Sequence, residues 1–344
     1  MNIQFFNGWY FFWLIISAGM FVGLYALLRN KSEKTQKTIL MSILIFGIAL
    51  HFLKMFFPPY STDVARWYRD SWFVNICGAN ILLFPFIYMS KSKSAKDYMF
   101  FVGVISGLIS VLAPLEPMQK VNQAGEWLDI VRFYLHHNML WLVPMFMVLL
   151  KHHTIDYSRT WKVPVWFLGV MLFIMLNQIF QRELGFIPMR GSDIFCINYK
   201  NSSLIWGPDG GIGDFLAWFC PDVFKTIPVG EYAGHEKYWP WFWLIVPMFV
   251  IVLPIVFAIS LIFDYKHFKT DLDKLINFIK AKFNKQNLQT ANSVNETSND
   301  EINVKNQPEL AKNENKEDKN SKIEKVNGEN LSQNKPKTTR KSKK

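Results

Sequence analysis

Charged residues are scarce in this 344-residue sequence, making up 19% of the chain, whereas soluble domains carry about 25%. They are also unevenly spread. Residues 1–263 hold 20 Lys+Arg and 15 Asp+Glu, and residues 264–344 hold 18 and 12. The first part is too apolar for an ordinary soluble domain, and the second is too polar to bury a core. The composition therefore predicts an all-α, polytopic membrane helix bundle with a disordered C-terminal tail.

The sequence also lacks the short motifs of common enzyme classes. It has no Walker loop, no GxSxG elbow and no dinucleotide-binding glycine pattern, and no HExxH or Cys/His spacing indicates a metal site. We therefore expect no metal and no cofactor. The basic end of the chain carries no nucleic-acid-binding fold signature, so specific nucleic-acid binding is not expected.

Seven apolar stretches are long enough, or nearly so, to cross a bilayer as helices of about 20 residues. They are residues 9–28, 38–57, 72–89, 98–113, 130–150, 164–180 and 241–263. The fourth is the weakest, because it is short and rich in Gly and Ser. We expect about seven transmembrane helices within residues 1–263, with residues 181–240 forming a long extracellular loop.

Basic residues orient these helices. Lys and Arg cluster after the first, third and fifth stretches, and none precedes the first. Because cytoplasmic loops carry the excess of Lys and Arg, the N-terminus is predicted outside and the C-terminus in the cytoplasm.

The C-terminal part divides into two segments. Residues 264–285 show a weak amphipathic pattern interleaved with lysines, which suits the inner membrane face and its anionic lipid headgroups. Residues 286–344 are rich in Asn, Lys, Glu and Ser and hold almost no aromatics. We expect them to form a disordered basic cytoplasmic tail, because they cannot bury enough apolar surface to fold.

Cysteine is rare, with three residues in the chain. Cys196 and Cys220 both lie in the outer loop, where an oxidising environment favours a disulfide. Paired and unpaired states both stay open for them. Cys77 is left over inside the third stretch and needs a separate explanation.

Polar side chains in the stretches concentrate near the predicted outer ends. They are His51, Asn75, Cys77, Asn80, Asp129, Arg132, His136, His137 and Asn177. Polar groups in a membrane are costly and usually face the bundle interior. The pattern therefore predicts a polar pocket near the outer leaflet. Cys77 and Asn80 share one helix face at i, i+3.

Cys77 and the histidine pair His136–His137 lie at similar depths, about 8–10 Å below their helix starts at 1.5 Å rise per residue. A helix N-terminus and an adjacent imidazole can lower the pKa of a cysteine thiol, and the resulting thiolate is a nucleophile. Simpler interpretations stay open. Cys77 can be a small apolar filler, Asp129 and Arg132 an ion pair, and Asn177 an interhelical hydrogen-bonding residue.

Several short motifs occur in a characteristic order. They are Asn75-Ile76-Cys77, Phe133-Tyr134-Leu135-His136-His137, Asn177, Asn198-Tyr199 and Trp239-Pro240-Trp241. Together, over residues 9–263, they resemble the bacterial YwaF-like integral membrane proteins. The resemblance implies a bacterial plasma membrane location. That family is related to a eukaryotic membrane protein described as a cysteine-dependent phospholipid acyltransferase, so the resemblance also implies acyl transfer. By position, Cys77 and His137 look like its working residues.

The sequence departs from that family at Asn75 and Gly78, where a His and an Asp are common. The predicted function is Cys/His-dependent acyl transfer on membrane lipids in an outer-leaflet pocket. Cys77 is the predicted nucleophile and His137 the general base. Asn80 and Asn177 are candidate oxyanion donors, and His51, His136 and Arg132 are further pocket candidates. The alternatives are a non-catalytic lipid- or solute-binding or transport protein and a structural scaffold; in each case the expected partners are membrane lipids.

Overall fold

The computed structural model describes residues 2–58, 60–62, 73, 75–119, 126–185, 203–228 and 233–305, excluding the side chains of residues 119, 126 and 287–305. The chain divides into two compact units, Met1–Leu275 and Ile276–Lys344. The helices of the predicted membrane domain belong to the first unit, apart from the continuation of the last helix beyond Leu275.

Regular structure in these described ranges is helical, and the only β-pairing among them is an isolated bridge between Thr226 and Glu236. Seven long helices follow one another: α1 (Gly8–Leu28), α2 (Glu33–Leu53), α3 (Ile76–Met89), α4 (Lys93–Leu112), α5 (Glu126–Leu149), α6 (Lys162–Glu183) and α7 (Leu253–Lys305). Shorter α-helices cover Leu115–Gln119, Gly210–Ala217 and Ile245–Pro247. The predicted all-α fold is confirmed.

Among the described residues, five helical stretches are long and apolar enough to cross a membrane. They are Gly8–Leu28, Glu33–Phe56, Lys93–Met118, Lys162–Glu183 and Phe242–Gln286. The other two predicted stretches correspond to α3, an apolar helix of 14 residues, and to α5, a helix of 24 residues. At 1.5 Å per residue α5 is about 36 Å long, which matches a bilayer core of about 30 Å.

Side-chain oxygens cap the first four helices. The acceptors are Asn7, Ser32, Asn75 and Ser92, each bound to the backbone N–H three residues later. Such caps satisfy donors that a helix start leaves without intrahelical partners. The cap at Asn75 explains why α3 begins at Ile76 and not at the predicted residue 72.

Helix α4, the stretch that looks weakest in sequence, is the most buried candidate span, with 56% of its most apolar window buried. Gly103 and Gly107 face α5. A Cβ on Gly103 would lie 2.7 Å from the carbonyl oxygen of Leu140, and one on Gly107 would lie 2.9 Å from that of His137. Small residues at this four-residue spacing let helix backbones approach closely. The glycines of α4 therefore serve packing.

A buried ion-pair network joins α4 to the connection between α5 and α6. Asp97 is 1% exposed, and its Oδ1 lies 2.8 Å from His153 Nε2. Arg159 donates to Oδ2 of Asp97 at 2.7 Å and to Asp156 at 2.8 Å. Each charge thus has a hydrogen-bonded partner, as buried charges require.

The last predicted span begins irregularly. A 3₁₀ turn (Phe242–Leu244), the short helix Ile245–Pro247 and a π-helix (Met248–Val252) precede α7. Within α7, Asp264 has non-helical dihedral angles (φ −130°, ψ 28°). This kink lies one residue after the predicted end of the span at residue 263.

Helix α7 continues to Lys305, so residues 286–305 are helical although we predict disorder from residue 286. The sequence has no Pro or Gly between Asp264 and Lys305 to interrupt the helix. The remainder of the predicted disordered tail, residues 306–344, lies outside the described residues.

Tryptophans of the loop that follows α6 and of the start of the last span donate to neighbouring elements. Trp206 donates to Gln178 Oε1 at 2.6 Å, Trp241 to the carbonyl of Leu168 at 2.8 Å, and Trp243 to the carbonyl of Leu204 at 2.9 Å. Trp241 and Leu204 have positive φ, an unusual conformation for residues with a Cβ. The described part of the loop is thus anchored to α6 and to the start of the last span.

Candidate functional site

Cys77 is the second residue of α3, in the turn that Asn75 caps. Asn75 Oδ1 accepts from the backbone N–H of Gly78 at 2.7 Å, which fixes this turn. His136 of α5 lies across from it, with Nε2 3.3 Å from the carbonyl oxygen of Cys77. The structure thus brings Cys77 and the predicted histidine pair together, through His136.

The hydrogen bonds define the tautomers of both histidines. A carbonyl oxygen can only accept, so the ring nitrogen facing it carries the proton. His136 donates from Nε2 to Cys77, and His137 donates from Nδ1 to the carbonyl of Phe133 at 2.8 Å. In the neutral rings, Nδ1 of His136 and Nε2 of His137 are then lone-pair acceptors. Each histidine is therefore held in a form that can take a proton.

The thiol itself is less closely engaged than predicted. Within the described residues, no hydrogen bond joins Cys77 Sγ to His136 or His137, and the contact runs through the Cys77 carbonyl. His136 and His137 are 3% and 7% exposed. The pairing of Cys77 with His137 stays a prediction.

Asn80 lies one turn after Cys77 and is fully buried. Tyr98 of α4 donates to Asn80 Oδ1 at 2.6 Å. The amide nitrogen Nδ2 is buried and has no hydrogen-bond partner among the residues that the structure describes. Because the oxygen is held by Tyr98, the amide is oriented with one uncommitted donor, which is unusual for a buried polar group.

His51 of α2 completes the cluster. It is 3% exposed, and its ring centroid lies 6.2 Å from that of His136. A Cβ built on Gly78 would lie 3.5 Å from Cε1 of His51. The nearest atom to that Cβ would be Asn75 Oδ1, at 3.2 Å. The backbone at Gly78 thus lies between the Asn75 cap and the His51 imidazole.

A cavity of about 130 Å³ lies beside this cluster, between the end of α2 and the start of α5. Its walls are mostly apolar and include Leu50, Leu53, Phe57, Leu128, Val131 and Leu135. Its polar wall consists of Lys54, Tyr60, Asp129 and Arg132. Neither Cys77 nor the two histidines line it. The predicted single pocket is therefore divided into a buried Cys/His/Asn cluster and a neighbouring apolar cavity.

The polar wall of this cavity is held by an ion pair. Arg132 donates to Asp129 Oδ1 from Nε at 2.8 Å and from Nη2 at 2.6 Å. Lys54 and Arg132 lie 5.2 and 5.8 Å from the ring centroid of Tyr60, within cation–π range. The ion-pair interpretation of Asp129 and Arg132 is confirmed, with two cations and one anion at the cavity.

Two further predicted features lie on elements other than those of the cluster. Asn177, near the end of α6, has a buried Nδ2 without a partner in the described ranges, and the same holds for both side-chain polar atoms of Gln181. Cys220 is buried and its thiol donates to the carbonyl of Pro221 at 3.5 Å. Cys196 lies outside the described residues, so the bridge between Cys196 and Cys220 stays a prediction.

One cluster in the described residues has the composition of a metal site. Ligand atoms of Asp156, Asp264 and His267 lie within 4.8 Å of one another. His267 Nδ1 already hydrogen-bonds Asp264 Oδ2 at 3.1 Å, and Asp156 accepts from Arg159. An internally paired ionic network accounts for this arrangement.

Sequence reasoning missed Tyr98 and Tyr60. Tyr98 orients Asn80, and Tyr60 contacts both cations of the cavity. Tyrosines near helix ends in a membrane protein are common at the interface, so neither position carries a distinguishing signal. Their partners are set by the packing of α3 on α4 and of α2 on α5.

These features define a polytopic helical membrane protein with a buried Cys/His/Asn cluster. The chain belongs to the TMEM164 family, whose family model matches residues 5–260. This match does not confirm the YwaF-like name. It does confirm that the chain belongs to a family of membrane proteins, as the resemblance implies. No curated protein and no solved structure matches the chain.

Proposed function

We propose that the protein transfers an acyl chain between membrane lipids, with Cys77 as the nucleophile and His137 as the general base. The observation that carries the proposal is the oriented amide of Asn80 one turn from Cys77, whose Nδ2 has no hydrogen-bond partner among the described residues. A buried donor of this kind is suited to a developing oxyanion. A purely structural asparagine would be expected to pair both ends of its amide.

The chemistry requires two balanced steps. His137 Nε2 takes the thiol proton, and the Cys77 sulfur attacks an ester carbonyl of a donor phospholipid. The C–S bond forms, the ester C–O bond breaks, and the lysolipid alkoxide leaves with the proton from His137. In the second step a hydroxyl of an acceptor lipid gives its proton to His137 and attacks the thioester. The new ester C–O bond forms, the C–S bond breaks, and the leaving thiolate takes the proton back from His137, which restores the thiol.

The neighbouring residues support this assignment in different ways. The Nδ1–H bond to Phe133 holds His137 with Nε2 unprotonated, as a base requires. His136 acts as a positioning residue, because it binds the Cys77 carbonyl. Asn80 is the favoured oxyanion donor. Asn177 lies on another helix, α6, and is the weaker candidate.

The test uses the full chain in lipid nanodiscs with a thiol-reactive acyl probe and an acyl-transfer assay. Cys77→Ser should abolish labelling at this position and transfer, and His137→Gln should lower transfer by about 10²–10⁴-fold. The double variant should be no worse than either single variant, since members of a catalytic unit are not additive. Cys220→Ser is the matched thiol control and should retain transfer.

A different result would favour the second candidate, a non-catalytic lipid-binding protein. This alternative rests on the absence, among described residues, of a thiol–imidazole hydrogen bond and on the apolar cavity with its Lys54, Asp129 and Arg132 wall. If Cys77→Ser leaves transfer unchanged, or no transfer occurs while Arg132→Gln weakens lipid binding, the enzyme proposal is wrong and the binder is supported.

We also propose the orientation in the membrane. The basic connections after α1, α3 and α5 support a cytoplasmic location for these loops, with the N-terminus outside. Under this topology the Cys77 cluster and the cavity beside Arg132 belong to the outer leaflet. Residues 264–285 follow the inner membrane face, and residues 286–344 extend into the cytoplasm.

A further inference from the structure

A second cavity, of about 640 Å³, lies at the other ends of the helices that form the Cys77 cluster. The first half of α2, the end of α3, the start of α4 and the end of α5 provide its walls. Under the proposed topology this is the cytoplasmic side. The cavity is separate from the acyl-transfer site, and its interpretation does not depend on that function.

Three lysines from different elements converge on this cavity. Lys37 comes from α2, Lys91 from the α3–α4 connection and Lys96 from the first turn of α4. Lys37 pairs with Glu33. Within the described part of the chain, no carboxylate lies within 4.0 Å of the ammonium of Lys91 or Lys96. The cavity therefore carries more positive than negative charge.

His152 also lines the cavity, and its pKa responds to the positive charge of the lysines. Its Nε2 donates to Gln36 Oε1 at 2.9 Å, and Tyr88 lies 3.2 Å from its Nδ1 as the donor. Burial lowers the pKa of His152, and the charge of Lys37 lowers it further, although Glu33 opposes this effect. The nearby lysines therefore disfavour protonation of the ring, and an anion bound among them would offset their mutual repulsion.

The remaining walls combine apolar side chains with hydroxyl groups. The apolar residues are Met41, Ile45, Met89 and Met147, and the hydroxyl-bearing ones are Thr38, Ser42, Tyr88 and Ser90. Ile45 and Met89 are 57% and 74% exposed on the surface that faces lipid in a membrane. A site that combines converging lysines with exposed apolar side chains matches an amphiphile with an anionic head.

We propose that this cavity binds the phosphate group of an anionic phospholipid from the cytoplasmic leaflet, with Lys91 and Lys96 as its main partners. The positive-inside rule explains basic loops but not their convergence on one cavity. Lys93 obeys the same rule, lies between these two lysines in sequence and does not line the cavity. It provides a matched control.

The experiment measures lipid binding to the full chain in detergent micelles by native mass spectrometry and thermal unfolding. The probes are phosphatidylglycerol, phosphatidylcholine and inorganic phosphate. Phosphatidylglycerol should bind and raise the unfolding temperature. The double variant Lys91→Gln/Lys96→Gln should weaken that binding at least about tenfold, given the contribution of each lysine near anionic lipid. Lys91→Arg/Lys96→Arg should retain it.

The control variants decide between a defined site and diffuse charge. Lys93→Gln should change binding less than about twofold, and Glu33→Gln should strengthen it because Lys37 is released. An equal loss in Lys93→Gln, or equal binding of phosphatidylcholine, overturns the proposal. If inorganic phosphate binds as tightly as phosphatidylglycerol, the lipid assignment is wrong and the ligand is a soluble phosphate. Unfolding without lipid checks that every variant folds.

Discussion

Gly107 of α4 packs directly against the backbone of His137: a Cβ at this position would lie 2.9 Å from the His137 carbonyl oxygen and 2.8 Å from Cβ of Trp141. Helix α4 thus contacts the backbone of the proposed base through a glycine, which has no side chain. The contact also links the stability of the α4–α5 pair to the geometry of the cluster.

Gly107→Ala should therefore destabilise the protein and impair the cluster together. Overpacking of a close helix contact costs about 1–3 kcal/mol, because the added methyl has only backbone and Cβ atoms to displace. Thermal unfolding in detergent gives the stability change, and the acyl-transfer assay gives the functional one.

Gly169→Ala is the matched control for this substitution. Nothing lies within 4 Å of a Cβ at Gly169 on α6, so Ala there should be neutral or stabilising by up to about 1 kcal/mol. Equal unfolding temperatures for the two variants would show that α4 and α5 do not approach as closely as described.

The seven helices could be predicted from apolar length and basic loops, because these reflect the bilayer itself. The packing role of Gly103 and Gly107 could not be predicted. A glycine lowers the hydropathy of a stretch in the same way whether it weakens the helix or allows a neighbouring helix to approach closely. The sequence predicts that Cys77 and the histidine pair lie at the same depth in the membrane. It could not decide which ring contacts Cys77, because adjacent helical residues differ by about 100° and their choice depends on helix rotation.

The cationic cavity and the Asp97 network are not predicted from the sequence for a related reason. Lys37, Lys91 and Lys96 lie in basic connections, which indicate only the orientation of the helices in the membrane. Asp97 lies one residue outside a predicted span. A lone acid next to an apolar stretch, with His153 and Arg159 in a loop on the same side, is the signal that could have revealed the network.

Asp97→Asn should be strongly destabilising. Removing one member of a buried ion pair costs about 3–5 kcal/mol when the remaining charge is left unpaired. Here Arg159 keeps Asp156 as a second partner, so we expect the lower end of that range. Asp222→Asn removes the exposed pair with Lys225, in which Asp222 is 96% exposed, and serves as the control. We expect a clear drop in unfolding temperature for the first variant and almost none for the second. Similar small shifts would mean that the Asp97 network contributes little.

Topology can be tested by single-cysteine labelling in a chain whose native cysteines are replaced. A cysteine at Ser32, in the connection between α1 and α2, should resist an impermeant external reagent in intact cells, because the loop is predicted in the cytoplasm. A cysteine at Gln4, before α1, should be labelled. The reverse pattern would invert the proposed orientation and move the cationic cavity to the outer leaflet.

The final prediction concerns pH and the ionic cluster at the kink of α7. His267 Nδ1 bonds Asp264 at 3.1 Å, and Nε2 lies 3.2 Å from Asp271. The hydrogen bond with Asp264 raises the pKa of His267, and the charges of Asp264, Asp271 and Asp156 act in the same direction. A raised pKa in the folded state means that protonated His267 stabilises the fold.

This stabilisation should be complete below the unfolded-state pKa of about 6.5 and lost as the pH rises through the higher folded-state value. The unfolding temperature should therefore fall between mildly acidic and alkaline pH. His267→Gln should flatten that fall, whereas His235→Gln, at an exposed position of the outer loop, should retain it. Because His267 is 48% exposed, solvent screening keeps the effect small. Melting curves that keep the same pH slope in His267→Gln would show that its protonation is not coupled to folding.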